Sequence, residues 1–301
     1  MAEWIDLIDP SEDDLRAKLP KQVQESALEL LLAPARHADE PRPTLQSHGD
    51  YIFGVFLIAV AVPDEDRVFY QEVDAVVTHD VLLSVSKTPP GEHPYDPRPA
   101  REACRPDDDA GMMLYRLVDD IAEHYLDLVD ALDGEIDELE DTVETASPQE
   151  TRSRLSELRH DLLHIRRTLA PTRDVIRRVV DNVVEVETGE EVFPHEVEVA
   201  FNSAYDKLMR AFDGLELSRD LIASVRDYLQ AKVANDQNEV MKTLTVIASL
   251  LLLPTFIVGL YGQNFVDIPE LRWHWGYGWS WGVIAVTTFL QLWYFRRKKW
   301  V

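Results

Sequence analysis

Cysteine is almost absent from this chain of 301 residues. Cys104 stands alone, which excludes an intrachain disulfide and agrees with a reducing compartment. Basic residues are scarce as well: 30 Lys and Arg face 55 Asp and Glu, for a formal net charge of −25. Such a surface repels nucleic acid, disfavours broad contact with anionic lipid and attracts cations. The first residues, MAEWIDLIDPSEDD, lack both a basic n-region and an apolar h-region, so no signal peptide is expected and the polar part is expected to stay cytoplasmic. No Gly-rich phosphate loop and no nucleophile elbow occurs, so the sequence makes no case for an enzyme or an organic cofactor.

Charge is missing altogether in two places. Thr243 to Val266 is uncharged over 24 residues, and Trp275 to Phe295 over 21. An α-helix needs about 20 residues to cross the bilayer core, and the gap between the two stretches is too short for a domain. They read as an antiparallel membrane hairpin. Arg296, Arg297, Lys298 and Lys299 follow the second stretch, while Arg272 is the one basic residue in the connection. The positive-inside rule then puts both termini in the cytoplasm and the loop, about 261–279, outside. Trp273, Trp275, Tyr277, Trp279 and Trp281 near the outer end, and Trp293, Tyr294 and Trp300 near the inner end, form the aromatic belts of the two interfaces.

The rest divides in two, giving an α+β chain of three parts: 1–106, 107–242 and 243–301. In residues 1–106, Glu3–Ile8 alternates as a short strand, and three β-rich segments follow, Thr44–Gln46 leading into Tyr51–Val62, Val68–Val77 and Val81–Val85, with a turn at 63–66. Ser11 caps a short helix, and a second is expected over Lys21–Leu32. Pro89–Pro106 reads as a Pro-rich connector. From Met112 the period becomes helical. Leu117, Ile121, Leu128, Leu132, Ile136, Leu139 and Val143 form one apolar stripe on an acidic helix, which Ser147-Pro148 ends. An arginine-rich helix, about Gln149–Val186, folds back on it. Charge matching along this hairpin and simple solvation of two faces are both open. After a turn at Thr188-Gly189, one helix of about 60 residues runs into the first span, about 90 Å at 1.5 Å per residue. A helix that long in a domain this small predicts a stalk that self-associates about a symmetry axis. Pro254 within the span predicts a kink.

Two patterns carry chemistry. His160-Asp161-Leu162-Leu163-His164 puts two imidazoles one turn apart, a spacing that suits zinc, but Arg159, Arg166 and Arg167 crowd it and no third ligand is evident. The second pattern is Tyr261-Gly262-Gln263-Asn264-Phe265 after the first span, with Pro269-Glu270-Leu271 beyond it. It resembles the signature of the CorA family of magnesium channels, Tyr-Gly-Met-Asn-Phe followed by Met-Pro-Glu-Leu. The basic tail ending in Trp300-Val301 and the order of parts are similar too.

The resemblance implies a homo-oligomer, a pentamer in that family, in a bacterial or archaeal inner or plasma membrane. It implies Mg²⁺ as the ion, with Co²⁺ or Ni²⁺ as companions. It implies a mouth at Gly262, Gln263 and Asn264. The pore-lining positions it implies are Gly259, Thr255, Leu252, Ala248, Leu244, Met241, Asn238, Ala234 and Asp227. Five of these, Asp227, Ala234, Met241, Ala248 and Thr255, also step by seven. Regulatory Mg²⁺ held between cytoplasmic domains is implied as well, with Asp80, Asp206, Asp213 and Asp220 as candidates by type and region. Gln263 departs from the family's Met, and family members with other middle residues include zinc transporters of the ZntB type. Mg²⁺ conduction, Zn²⁺ transport and a non-transporting scaffold of the same architecture are therefore the expectations to compare.

Overall fold

The structure is a computed structural model that describes residues 2–35, 41–62, 67–184, 192–264 and 268–300. The turns expected at 63–66 and 188–189, and Phe265, lie outside the described residues. The chain forms two compact units, Met1–Arg226 and Asp227–Val301.

The first unit is built on a five-stranded sheet of β1 (Glu3–Ile8), β2 (Thr44–Ser47), β3 (Ile52–Val62), β4 (Arg67–Val77) and β5 (Val81–Lys87), in the order β1-β5-β4-β3-β2. Among the described strands only the β1–β5 pair is parallel, with Glu3 opposite Val81. The strands fall where the β-branched and aromatic runs place them. Alternation decides the faces. Leu83 and Val85 of β5, with Val76 of β4, join Leu15 of α1 (Glu12–Lys18) and Ala27, Leu28 and Leu31 of α2 (Glu25–Leu32) in one core. The alternate residues Leu82, Ser84 and Ser86 are buried on the other face. That face is crossed by α4 (Ala110–Thr142). Helix α2 starts four residues later than expected, at Glu25, and the Pro-rich connector holds a short helix, α3 (Arg98–Glu102), that opens on Pro97 and Pro99.

The α1–α2 face also hides charge. Lys87 reaches Glu72 at 2.5 Å and Asp74 at 2.7 Å, and donates to the Leu30 carbonyl at the end of α2 at 2.9 Å. Lys87 and Asp74 are 5% and 1% exposed. Burying a carboxylate disfavours its charged form. Burial, opposed by Lys87 and reinforced by Glu72, pushes the Asp74 carboxyl from its ordinary 3.8 up to about 7.

Helices α4, α5 (Pro148–Val180) and the start of α6 (His195–Tyr261) pack through apolar stripes: Ile121, Leu128 and Ile136; Leu158, Ile165 and Leu169; Phe201, Leu208 and Leu215. Their ends are set by local chemistry. Asp109 caps α4 by accepting the Met112 N–H at 2.7 Å. Ser147 and Glu150 form a capping box at α5, with Pro148 at its first position. Helix α5 ends at Val180, six residues sooner than expected, and Asn182 adopts φ 52 beyond it. A Cβ on Gly111 would lie 2.1 Å from the Val192 carbonyl, so the segment entering α6 closes directly on α4.

Charge matching does not zip the α4–α5 hairpin. Arg154 meets Glu135 at 2.6 Å. Asp127, Asp130 and Asp137 on α4, and Arg152, Arg159 and Arg167 on α5, are instead exposed and have no partner among the described residues. Polar links run to α6: Lys207 to Asp119 and Glu123, Ser218 to Asp133, and Arg166 to Glu216. The hairpin is held by its apolar stripe, and these exposed charges face solvent.

The second unit holds the rest of α6, a 3-10 turn at Pro269–Arg272 and α7 (Gly276–Arg297). Helix α6 continues unbroken through Pro254, whose missing N–H leaves the Leu250 carbonyl without its usual partner. A Cβ on Gly276 would lie 2.0 Å from the Glu270 carbonyl, so the 3-10 turn sits against the start of α7 only because that residue is glycine. Gln291 of α7 donates to the Ser249 carbonyl of α6 at 3.2 Å, joining the two as a hairpin. Among the described helices, α6 is the one with a stretch apolar enough to cross a membrane by hydropathy alone. Trp279, Trp281, Trp293, Tyr277 and Tyr294, amphipathic rings suited to a membrane interface, lie along α7.

Candidate functional site

The site is a helix face. At 100° per residue, the candidates from Asp227 to Gly262 fall in an arc of about 120° on α6. All of them are exposed: Asp227, Ala234, Asn238, Met241, Leu244, Ala248, Leu252, Thr255, Gly259 and Gly262. Leu252 is 72% exposed, the most open of the large apolar candidates on this face. The covered side lies across the helix. Val246 and Ile257 are buried, Ser249, Leu250, Leu253 and Pro254 are half-buried, and Ser249 carries the bond to α7. The middle of that covered arc is about 150° from the middle of the candidate arc. Between Val246 and Ile257, helix α7 thus occupies one side of α6 and leaves the other uncovered, whereas residues 234–245 are exposed on every side.

The uncovered face alternates in chemistry. Asp227 brings a carboxylate. Asn238 brings an amide. The Thr255 hydroxyl donates to the Leu251 carbonyl at 2.7 Å, which leaves its oxygen free to accept from a ligand. Met241, Leu244 and Leu252 are apolar, and Ala234, Ala248 and Gly259 are small. A Cβ on Gly259 would meet no described atom within 4 Å, so nothing among the described residues demands glycine there.

At the expected mouth, the Gly262 N–H donates to the Val258 carbonyl at 2.9 Å and that of Gln263 to Leu260 at 3.5 Å, so the motif follows directly on the end of α6 at Tyr261. Gln263 and Asn264 are both exposed. A neutral amide beyond a helix end can accept from the hydration shell of a cation or donate to an anion. At the far end of α7, Arg296, Arg297, Lys298 and Lys299 are exposed, with Arg297 over the Trp293 ring at 5.5 Å and Trp300 stacked on Phe295.

The candidate regulatory acids are not brought together within the chain. Asp80 is exposed in the β4–β5 turn, where its carbonyl accepts the Glu3 N–H. Asp206, Asp213 and Asp220 are exposed on α6, each about 10.5 Å from the next along the axis, too far to share an ion. Among the described residues no group of three or more His, Cys, Asp and Glu is placed to hold a metal. That includes His160 and His164, whose rings stack at 6.3 Å while His164 meets the Tyr70 ring edge-on at 4.9 Å.

Sequence reasoning missed the buried Lys87–Glu72–Asp74 group. Glu72 and Asp74 alternate correctly for one face of β4, but nothing local to them announces a lysine 13 residues further on.

The model of the family described as CorA-like Mg²⁺ transporter protein matches residues 2–297. The chain belongs to the CorA-like Mg²⁺ transporter family. The cobalt/magnesium transport protein CorA of Thermotoga maritima is 37% identical over 195 residues, 64% of this chain but only 53% of that relative's length. The zinc transport protein ZntB of Yersinia enterocolitica is 25% identical over 193 residues, 64% of this chain and 57% of that protein. In fold, the chain is similar to the complete structure of the CorA magnesium transporter from Methanocaldococcus jannaschii. The TM-score is 0.78 at 20% identity, over 99% of this chain and 91% of that one. The CorA-like architecture expected from the sequence, α+β domain, long helices and terminal hairpin, is the architecture observed.

Proposed function

We propose that this CorA-like protein is a membrane channel that passes Mg²⁺, with Co²⁺ or Ni²⁺ as companions, through a pore on the symmetry axis of a homo-oligomer, a pentamer as in its family. The observation that carries this is the face of α6 left uncovered opposite α7 between Val246 and Ile257, a face whose arc of about 120° also takes in the candidates back to Asp227. Repeated about an axis, each residue of that face becomes a ring. Asn264 forms the outer ring. Mg²⁺ gives up its water reluctantly, and a ring of amide oxygens can bind its hydration shell without stripping or trapping the ion. Asn238 and Thr255 form further polar rings. Met241, Leu244 and Leu252 form apolar constrictions that close by dewetting. Ala234, Ala248 and Gly259 let neighbouring helices approach, and Asp227 gathers cations at the inner end.

Both termini face the cytoplasm, with the basic tail at the inner leaflet. Inward movement of a divalent cation then gains about 4.6 kcal/mol per 100 mV, so no ATP site is needed. Gating by cytoplasmic Mg²⁺ uses Asp80, Asp206, Asp213 and Asp220 between copies, since no single copy brings them together. A second reading, Zn²⁺ transport, is favoured by Gln263 and by the ZntB relative.

Ion uptake into liposomes by the purified full chain tests these. Mg²⁺ uptake that falls at least about tenfold in Asn264→Ala is expected if the amide ring admits the ion. Uptake unchanged in that variant contradicts the mouth. Zn²⁺ uptake without Mg²⁺ uptake selects the second reading, and no uptake of any ion by the assembled protein leaves a scaffold.

A further inference from the structure

Helices α4 and α5 each carry a row of charges that the chain itself does not satisfy. Asp130 and Asp137 on α4, and Arg152 and Arg159 on α5, are exposed and without an ion-pair or hydrogen-bond partner among the described residues. Each row has the same seven-residue step, about 10.5 Å of helix. The rows lie on different helices, each on the side away from that helix's buried stripe.

The Arg154–Glu135 contact fixes height within the hairpin. Five residues back along α4 from Glu135 and five forward along α5 from Arg154 bring Asp130 level with Arg159. Two residues in the opposite sense bring Asp137 level with Arg152. Copies in a closed ring are related by rotation without translation along the axis. Where the hairpin runs with that axis, side chains at equal height on neighbouring copies meet. Two acids and two arginines of equal spacing and matched height are the arrangement that a head-to-tail contact uses.

We propose that the outer face of α4 in one copy docks against the outer face of α5 in the next, pairing Asp130 with Arg159 and Asp137 with Arg152. The partner is a second copy of this chain, so the seam rests on the homo-oligomer proposed above. An α4 face turned to another α4 face sets acid against acid, which excludes a two-fold contact there. Exposed pairs of this kind add little stability singly. Their effect is on the order and orientation of copies, which complementary charge governs.

Full-length protein on a Cys104→Ser background tests the seam. Copies carrying Asp130→Cys are co-expressed with differently tagged copies carrying Arg159→Cys, and the assembly is oxidised in detergent after its mass is measured. A covalent dimer containing both tags is expected from the mixture and is lost when either variant is expressed alone. Asp137→Cys with Arg152→Cys gives an independent second pair with the same expectation. An assembly of oligomeric mass that yields no mixed dimer with either pair overturns the seam and leaves the pore intact. Dimer in equal amount from one variant alone also overturns it, because that outcome requires a two-fold contact. A monomeric mass overturns the seam and the channel together.

Discussion

At the scale of single residues, polar groups in this chain matter by where they are buried or left bare. Asp74 is the clearest buried case. Its folded carboxyl titrates near 7 and its unfolded one near 3.8, so between those values the folded state holds the extra proton. Stability contributed by this group is therefore present at low pH and declines as pH rises from about 4 towards about 7. Asp74→Asn keeps the shape and removes the titration. Thermal unfolding of the full chain in detergent between pH 4.5 and 7.5 is expected to show a shallower fall in Tm for this variant than for the parent. An unchanged slope excludes Asp74 as its source. Asn264 is the opposite case, an exposed amide that the proposed pore would set in a ring with its copies.

At the scale of elements, the sequence was legible where one period dominated. The strands sit in the β-rich runs, with the segment from Thr44 to Val62 divided into the antiparallel pair β2 and β3, and α4, α5 and α6 follow their apolar stripes. Ser147-Pro148, which the sequence marks as the break after α4, is also the start of α5, set by local capping chemistry. Ser147→Ala removes the acceptor for the Glu150 N–H and one half of the box. About 1 kcal/mol of stability is the expected loss in denaturant unfolding. No measurable loss would mean that the α5 end is set by packing alone.

What stayed hidden needed three dimensions. Helix α3 is too short, and too close to prolines, to show a period. The buried Lys87 finds its carboxylates only through strand register. The seven-residue step on α6 marked a special face, but the covered side was invisible until Gln291 met Ser249. Charge blocks on α4 and α5 suggested pairing within one chain, whereas the apolar stripe turns those rows outward.

At the scale of the whole molecule, membership of the CorA-like family gives the chain its architecture. The choice of ion, in the channel proposed above, is assigned to Gln263 beside Asn264. The central claim is that the uncovered face of α6 lines the path, and modification of single cysteines tests it most directly. Ala248→Cys and Leu252→Cys lie on that face, and Val246→Cys lies on the side that α7 covers. Each is placed in the full chain lacking Cys104, reconstituted in liposomes and treated with a bulky, water-soluble thiol reagent while Mg²⁺ uptake is followed. The expected result is a loss of about tenfold or more for Ala248→Cys and Leu252→Cys, as an adduct in a narrow constriction requires, and little change for Val246→Cys. Block at Val246→Cys with free uptake at Ala248→Cys and Leu252→Cys would contradict the account.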